Sequence, residues 1–205
     1  MWVYMATWIV RDGAPELGRG SFLPGVGLRA ACLSVGPARV PVDGIAEWVG
    51  PGGGPRPGGH VHELTGLAGA ARDVYAGDGP AERHAGSEFV ITTGGQTFTA
   101  RAGGPASGVP SGSRITAQCL LSVVPDYEWD AFDLPDLRSD WHVLRLKIEH
   151  TQTDDAPGHS GPALPGPSGK VLRSFEIDHM SRWDDDRDPT ITAWYLLDLL
   201  PTQAS

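Results

Sequence analysis

The stretch WHVLRLKIEHT, residues 141–151, decides the fold class of this chain. Taken with a period of two, it places His142, Leu144, Leu146, Ile148 and His150 on one side and Trp141, Val143, Arg145, Lys147 and Glu149 on the other. Successive side chains of a strand leave opposite faces, so the first set predicts a core face rimmed by histidines and the second a polar face. The same alternation recurs along the chain, far more often than a 3.6-residue spacing.

It predicts strands over residues 7–10, 27–35, 61–64, 88–92, 96–101, 114–124, 141–150, 171–179 and 191–199. Gly-, Pro- and Asp-rich turns separate them, the pattern of an all-β, antiparallel barrel or sandwich. Only GLAGAARDVY, residues 66–75, suggests a short helix. The Gly/Pro-rich segments 51–59 and 154–169 read as surface loops.

Two short strings hint at internal duplication. RAACLSV (residues 29–35) and TAQCLLSV (residues 116–123) hold the two cysteines in similar settings. SEFVIT and GHVHEL, in the first half, find partners in SFEID and WHVLRL in the second. This suggests two related β-units, OB-like or small-barrel halves, over residues 1–95 and 96–205, packed as one body. Both cysteines fall among small apolar residues, and we expect buried free thiols rather than a disulfide.

A length of 205 residues suffices for a substantial core, and a net charge of -9 argues against a phosphate-neutralising surface. Lys147 and Lys170 are the only lysines, Arg carries the remaining positive charge and Asn is absent, a bias expected of a GC-rich bacterial genome. The apolar start, MWVYMATWIV, is too short to span a bilayer and lacks a preceding basic segment, so a cytoplasmic location is expected; Met5 is an alternative start.

Candidate chemistry is sparse. In HVH, His60 and His62 alternate along a strand and leave the same face about 6.6 Å apart, close enough to share a metal ion. Glu82 and His84, alternating in AERHAG, are candidate third and fourth ligands. The set resembles the His-X-His, Glu and His arrangement of cupins, metal-binding β-barrels, and that resemblance implies a divalent metal. The plainer alternative is a pair of half-exposed histidines beside a glycine loop. No motif requires a cofactor.

DYEWDAF, residues 126–132, would put Asp126, Glu128 and Asp130 on one face and Tyr127 and Trp129 on the other. Asp184, Asp186 and Asp188 alternate likewise, and both acidic strings read as solvated faces before they read as cation sites. Phosphate-binding glycine loops, GxSxG, HExxH and CxxC are absent from the sequence.

Seven tryptophans suggest a binding surface, with Tyr127, Trp129, Trp141 and His142 as ligand-contacting candidates. The expected function is a non-catalytic binding or accessory protein that holds a partner protein or small ligand. The alternatives are a small β-barrel enzyme, either metal-dependent or a cofactor-free cyclase or isomerase, and an OB-like binder of single-stranded nucleic acid, which the acidic charge disfavours.

Overall fold

The computed structural model describes residues 1–11, 16–38, 43–48, 60–76, 83–124, 137–152, 171–181 and 191–202. Their strands are β1 (Trp2–Ala6), β2 (Phe22–Val26), β3 (Leu28–Pro37), β4 (Gly44–Trp48), β5 (Val61–Ala68) and β6 (Arg72–Ala76). There follow β7 (Arg83–Thr93), β8 (Gln96–Ala102), β9 (Arg114–Val123), β10 (Ser139–Gln152), β11 (Val171–Ile177) and β12 (Ile191–Pro201). The protein is all-β, and its one described α-helix, α1 (Thr7–Arg11), has five residues.

The strands divide into a ring and a wing. In the ring, β9 pairs with β3, β3 with β8, β8 with β7, β7 with β5, and β5 back with β9. Four of these pairings are antiparallel and β3 with β8 is parallel, so the sheet is mixed rather than antiparallel throughout. A parallel pair needs a long crossover, here supplied by β4 to β7, and alternation within single strands carries no trace of it.

The wing grows from the upper half of β9. Its lower half, from Arg114 to Cys119, pairs with β5, whereas Ser122 meets Tyr4 of β1 in parallel register. From there the sheet runs β1, β12, β10, with both β11 and β2 on the far side of β10. One apolar core fills both parts: Leu64, Phe89, Ile91, Phe98 and Leu121 inside the ring continue into Val3, Met5, Val143, Leu146, Tyr195 and Leu197 beneath the wing. A second cluster of Trp2, Tyr4, Ala31, Val61, Leu120 and Leu196 seals the opposite side of the junction.

Because β1 is buried on both faces, it reads as an unbroken apolar run with no alternation to locate it. The strand expected over residues 7–10 is instead α1, and the true strand lies just upstream. Residues 2–4, an extension if translation began at Met5, thus form part of the central sheet.

The helix expected over residues 66–75 is also overturned. Those residues complete β5 and form most of β6, and the Gly69 N–H donates to the Val90 carbonyl at 2.9 Å. Its alanines favour a helix, but a Cβ at Gly66 would collide with the Thr92 carbonyl oxygen and lie 2.8 Å from the Thr93 Cβ. Close strand packing overrides local propensity here.

The boundary proposed at residues 95/96 falls in the β7 to β8 turn, where Gly94 and Gly95 both have positive φ (56° and 79°), as a two-residue hairpin of this hand needs. The two cysteine strings pair with each other as β3 and β9, Cys32 opposite Cys119.

Strand β10 departs from simple alternation. Val143 pairs with Leu199 and Arg145 with Asp198, so Leu144 is the extra residue of a β-bulge. The bulge reverses the faces across it: Trp141 and Val143 join Leu146 and Ile148 in the core, while Leu144 is half exposed. The core face expected to carry His142 and Leu144 therefore holds from Leu146 onward and inverts before it.

Candidate functional site

The ring does not bring His84 to the other described members of the proposed metal set, His60 and His62. His62 is buried, and its Nε2 donates to the Trp2 carbonyl at 2.7 Å, so that nitrogen carries a proton rather than a lone pair for a metal. The backbone N–H of His60 donates to the Tyr4 hydroxyl at 3.0 Å, and its ring packs 5.4 Å from that of Trp2. His84 lies elsewhere on the wall, where its Nε2 donates to Asp73 at 2.9 Å and its ring meets Tyr75 edge-on.

Register around the ring gives the separation. His62 aligns through Cys119, Cys32 and Ala102 with Ser87 of β7, and His84 lies three positions beyond, so the two histidines stand roughly 20 Å apart over the wall. Among the described residues, no three His, Cys, Asp or Glu side chains are placed to hold a metal ion. Glu82 lies outside the described residues.

At the mouth of the ring, Asp73 accepts from the Ala106 N–H at 2.7 Å as well as from His84. These two donors hold its carboxyl below the usual range. The pair ties β6 to β7 and to the turn after β8, with Ser87 opposite Asp73 but fully buried. On the outer wall, Glu88 is held between Arg72 and Arg101 from the flanking strands, a structural ion-pair triad.

Cys32 and Cys119 point into the ring interior. Burial pushes the Cys32 thiol up to about 12. Cys119 is raised well above its usual value by burial and then by the charge of Cys32. Thiols so far from ionisation are poor nucleophiles and poor metal ligands at neutral pH.

The wing offers a different surface. Of the sequence's ligand-contacting candidates, Trp141 lies in the core and its indole N–H donates to the Val26 carbonyl at 3.0 Å, so it supports the surface from beneath. Tyr127 and Trp129 lie outside the described residues. His142 is exposed on the outer face, where its ring packs 5.4 Å from that of Phe22.

Register aligns three neighbours across three strands: Phe22 of β2, His142 of β10 and Leu200 of β12. Phe22 is 48% exposed and Leu200 50%, with Leu144 of the bulge at 45% beside them. Alternation explains the row, because the next residues, Leu23, Trp141 and Leu199, all point into the core. The sequence named His142 alone, since nothing in FLPGV or LLDLL shows which apolar residues face out.

Beyond this row the outer face becomes charged. Arg145 lies 4.8 Å from the Trp2 ring centroid and the Lys147 ammonium 4.5 Å, so two cations flank one indole. Arg145 pairs with Asp198 at 2.8 Å, and the Met1 ammonium meets the same carboxylate at 3.0 Å. Burial pushes the Asp198 carboxyl up, but these hydrogen bonds and charges outweigh it and leave it below its usual value. Further along, buried Glu149 accepts from Tyr4 at 3.4 Å and Ser174 at 3.1 Å.

No protein-family model, characterised protein or solved structure matches the chain. Among the described residues, no helix is long and apolar enough to cross a membrane.

Proposed function

We propose that the chain is a non-catalytic binding or accessory protein of a bacterial cytoplasm, which docks a protein partner on the outer face of its wing. The observation that carries this reading is the in-register row of Phe22, His142 and Leu200, with Leu144 beside it, on three adjacent strands. A lone exposed leucine is unremarkable, whereas contiguous apolar side chains rimmed by charge mark interaction surfaces. The rigid sheet beneath, anchored by Trp141, Val143 and Leu199, holds the row fixed at little entropic cost to binding. Reduced, buried thiols favour the cytoplasmic location.

The test is affinity capture from a lysate of the source organism with wild-type protein and a Phe22→Ser, Leu200→Ser double variant. We expect proteins retained by the wild type to be lost from the folded variant. Identical sets of captured proteins would defeat the reading.

The closed five-stranded ring favours a second reading, an OB-like binder of single-stranded nucleic acid. It ranks lower because Phe89 and Phe98 of β7 and β8 are buried in the core. The outward positions hold Thr92, Thr97 and the ion-paired Arg101 instead of a stacking platform. A salt-dependent mobility shift with single-stranded DNA would restore it.

A further inference from the structure

We infer that the partner on the outer face of the wing is a second copy of this chain, related by a two-fold axis along the row of Phe22, His142 and Leu200. The inference rests on reading that face as a protein-docking surface.

The geometry comes from the bulge in β10. His142 pairs with Leu200 and Arg145 with Asp198, while the Thr202 N–H donates to the Asp140 carbonyl at 3.0 Å. Measured along β12, Asp140, His142 and Arg145 thus stand at positions 202, 200 and 198. An acid and a base lie at equal distances, about 6.6 Å, on either side of the apolar row. All three share the outer face, because Trp141, Val143 and Leu146 turn inward. Without the bulge, alternation would place Arg145 on the core face.

A two-fold axis parallel to the sheet and about 5 Å above its outer face, across the strands and along the row, exchanges the two sides. It sets Asp140 of each copy opposite Arg145 of the other and places Phe22, His142 and Leu200 opposite themselves. Such an isologous contact is self-complementary in charge and apolar at its centre. Two sheets can stack face to face about 10 Å apart, which brings both side-chain layers into contact.

Charge favours this patch over the rest of the surface. Two chains of net charge -9 repel at long range, so association needs a region where opposite charges meet. Asp140 is exposed and Arg145 keeps half of its side chain in solvent beside Asp198. The contribution of the row is hydrophobic and unaffected by salt screening, whereas the two flanking pairs orient the copies.

Residues on the axis give the sharpest test, because each meets its own copy. The measurement is sedimentation equilibrium of the full chain over a concentration series, with circular dichroism to confirm folding. The wild type should dimerise reversibly. Leu200→Asp and Leu200→Lys should each weaken the dimer by at least about tenfold, as like charges then face each other. An equimolar mixture of the two should regain association, because aspartate now faces lysine. Phe22→Glu with Phe22→Lys provides an independent second pair, so a misfolded variant at one position leaves the test intact.

A wild type that stays monomeric throughout overturns the inference, as does a dimer indifferent to these substitutions or a mixture that fails to re-associate. A monomer that still captures another protein through Phe22 and Leu200 would overturn only the second copy and leave the docking face standing.

Discussion

The ring and the wing are cut from one sheet and share one core, yet they end differently. In the ring every member strand has neighbours on both sides. In the wing β10 carries β11 along one half of its outer edge and β2 along the other, and both have a single strand partner among the described residues. Among the described residues, eight large hydrophobics are exposed and five of them belong to the wing: Phe22, Leu144, Leu172, Phe175 and Leu200. Closure satisfies backbone groups and leaves polar residues outside, whereas an open sheet leaves edges and faces that a partner can cover. On the proposed reading, the ring is the stabilising body and the wing the contact surface.

On that division, the largest losses of stability belong to the ring. Gly66→Val should have the greatest effect, because its side chain would be driven into Thr92 and Thr93 where β5 crosses β7. We expect a destabilisation above about 3 kcal/mol in urea titration, or no soluble protein. Near-normal stability would mean that the ring is not closed at that crossing. Leu121→Ala, inside the ring, should cost about 2–5 kcal/mol by the same measurement.

The junction should come next. Asp198 lies on β12 beside β1, held by Arg145 and the Met1 ammonium, and its carboxyl titrates below the ordinary range. A depressed folded-state value stabilises the protein above the unfolded value, near 3.9, and the benefit disappears as pH falls through the folded value. Asp198→Asn should therefore cost about 1–3 kcal/mol at neutral pH and much less at the acid end. A penalty independent of pH would assign the loss to packing instead.

How much of this was legible in the sequence depends on what each strand buries. The first half of β9 has one wetter face and shows itself by alternation, and the boundaries expected at residues 96–101 and 114–124 hold within a residue or two. β1 hides because both of its faces are buried, and the end of β5 hides because its glycines permit a close crossing that alanine-rich neighbours disguise as a helix. The histidine pair at 60 and 62 was visible, but not the hydrogen bond from His62 to Trp2 that uses its Nε2. The row on the wing was invisible for another reason. It depends on register among three strands far apart in sequence and on one bulge, neither of which a single strand encodes.

The thiols probe the closed body without altering it. Cys32 and Cys119 face each other inside the ring, raised by burial. Native protein should leave both almost unlabelled by iodoacetamide at pH 8, with full reaction after denaturation. Rapid native labelling would show that the ring opens readily, and the contrast with the wing would shrink.

The smallest expected effect isolates the contact surface. Leu121 and Leu200 are the same residue type, one fully buried in the ring and the other half exposed on the wing. Leu200→Ala leaves a site that water already reaches, so no cavity forms and little transfer energy is lost. Its stability should change by no more than about 0.5 kcal/mol, measured at a concentration low enough to keep the chain monomeric. A loss as large as that of Leu121→Ala would make Leu200 part of the core. Little change in the monomer, together with a stability that no longer rises with protein concentration as the wild type's should, would separate holding the fold from holding a second chain.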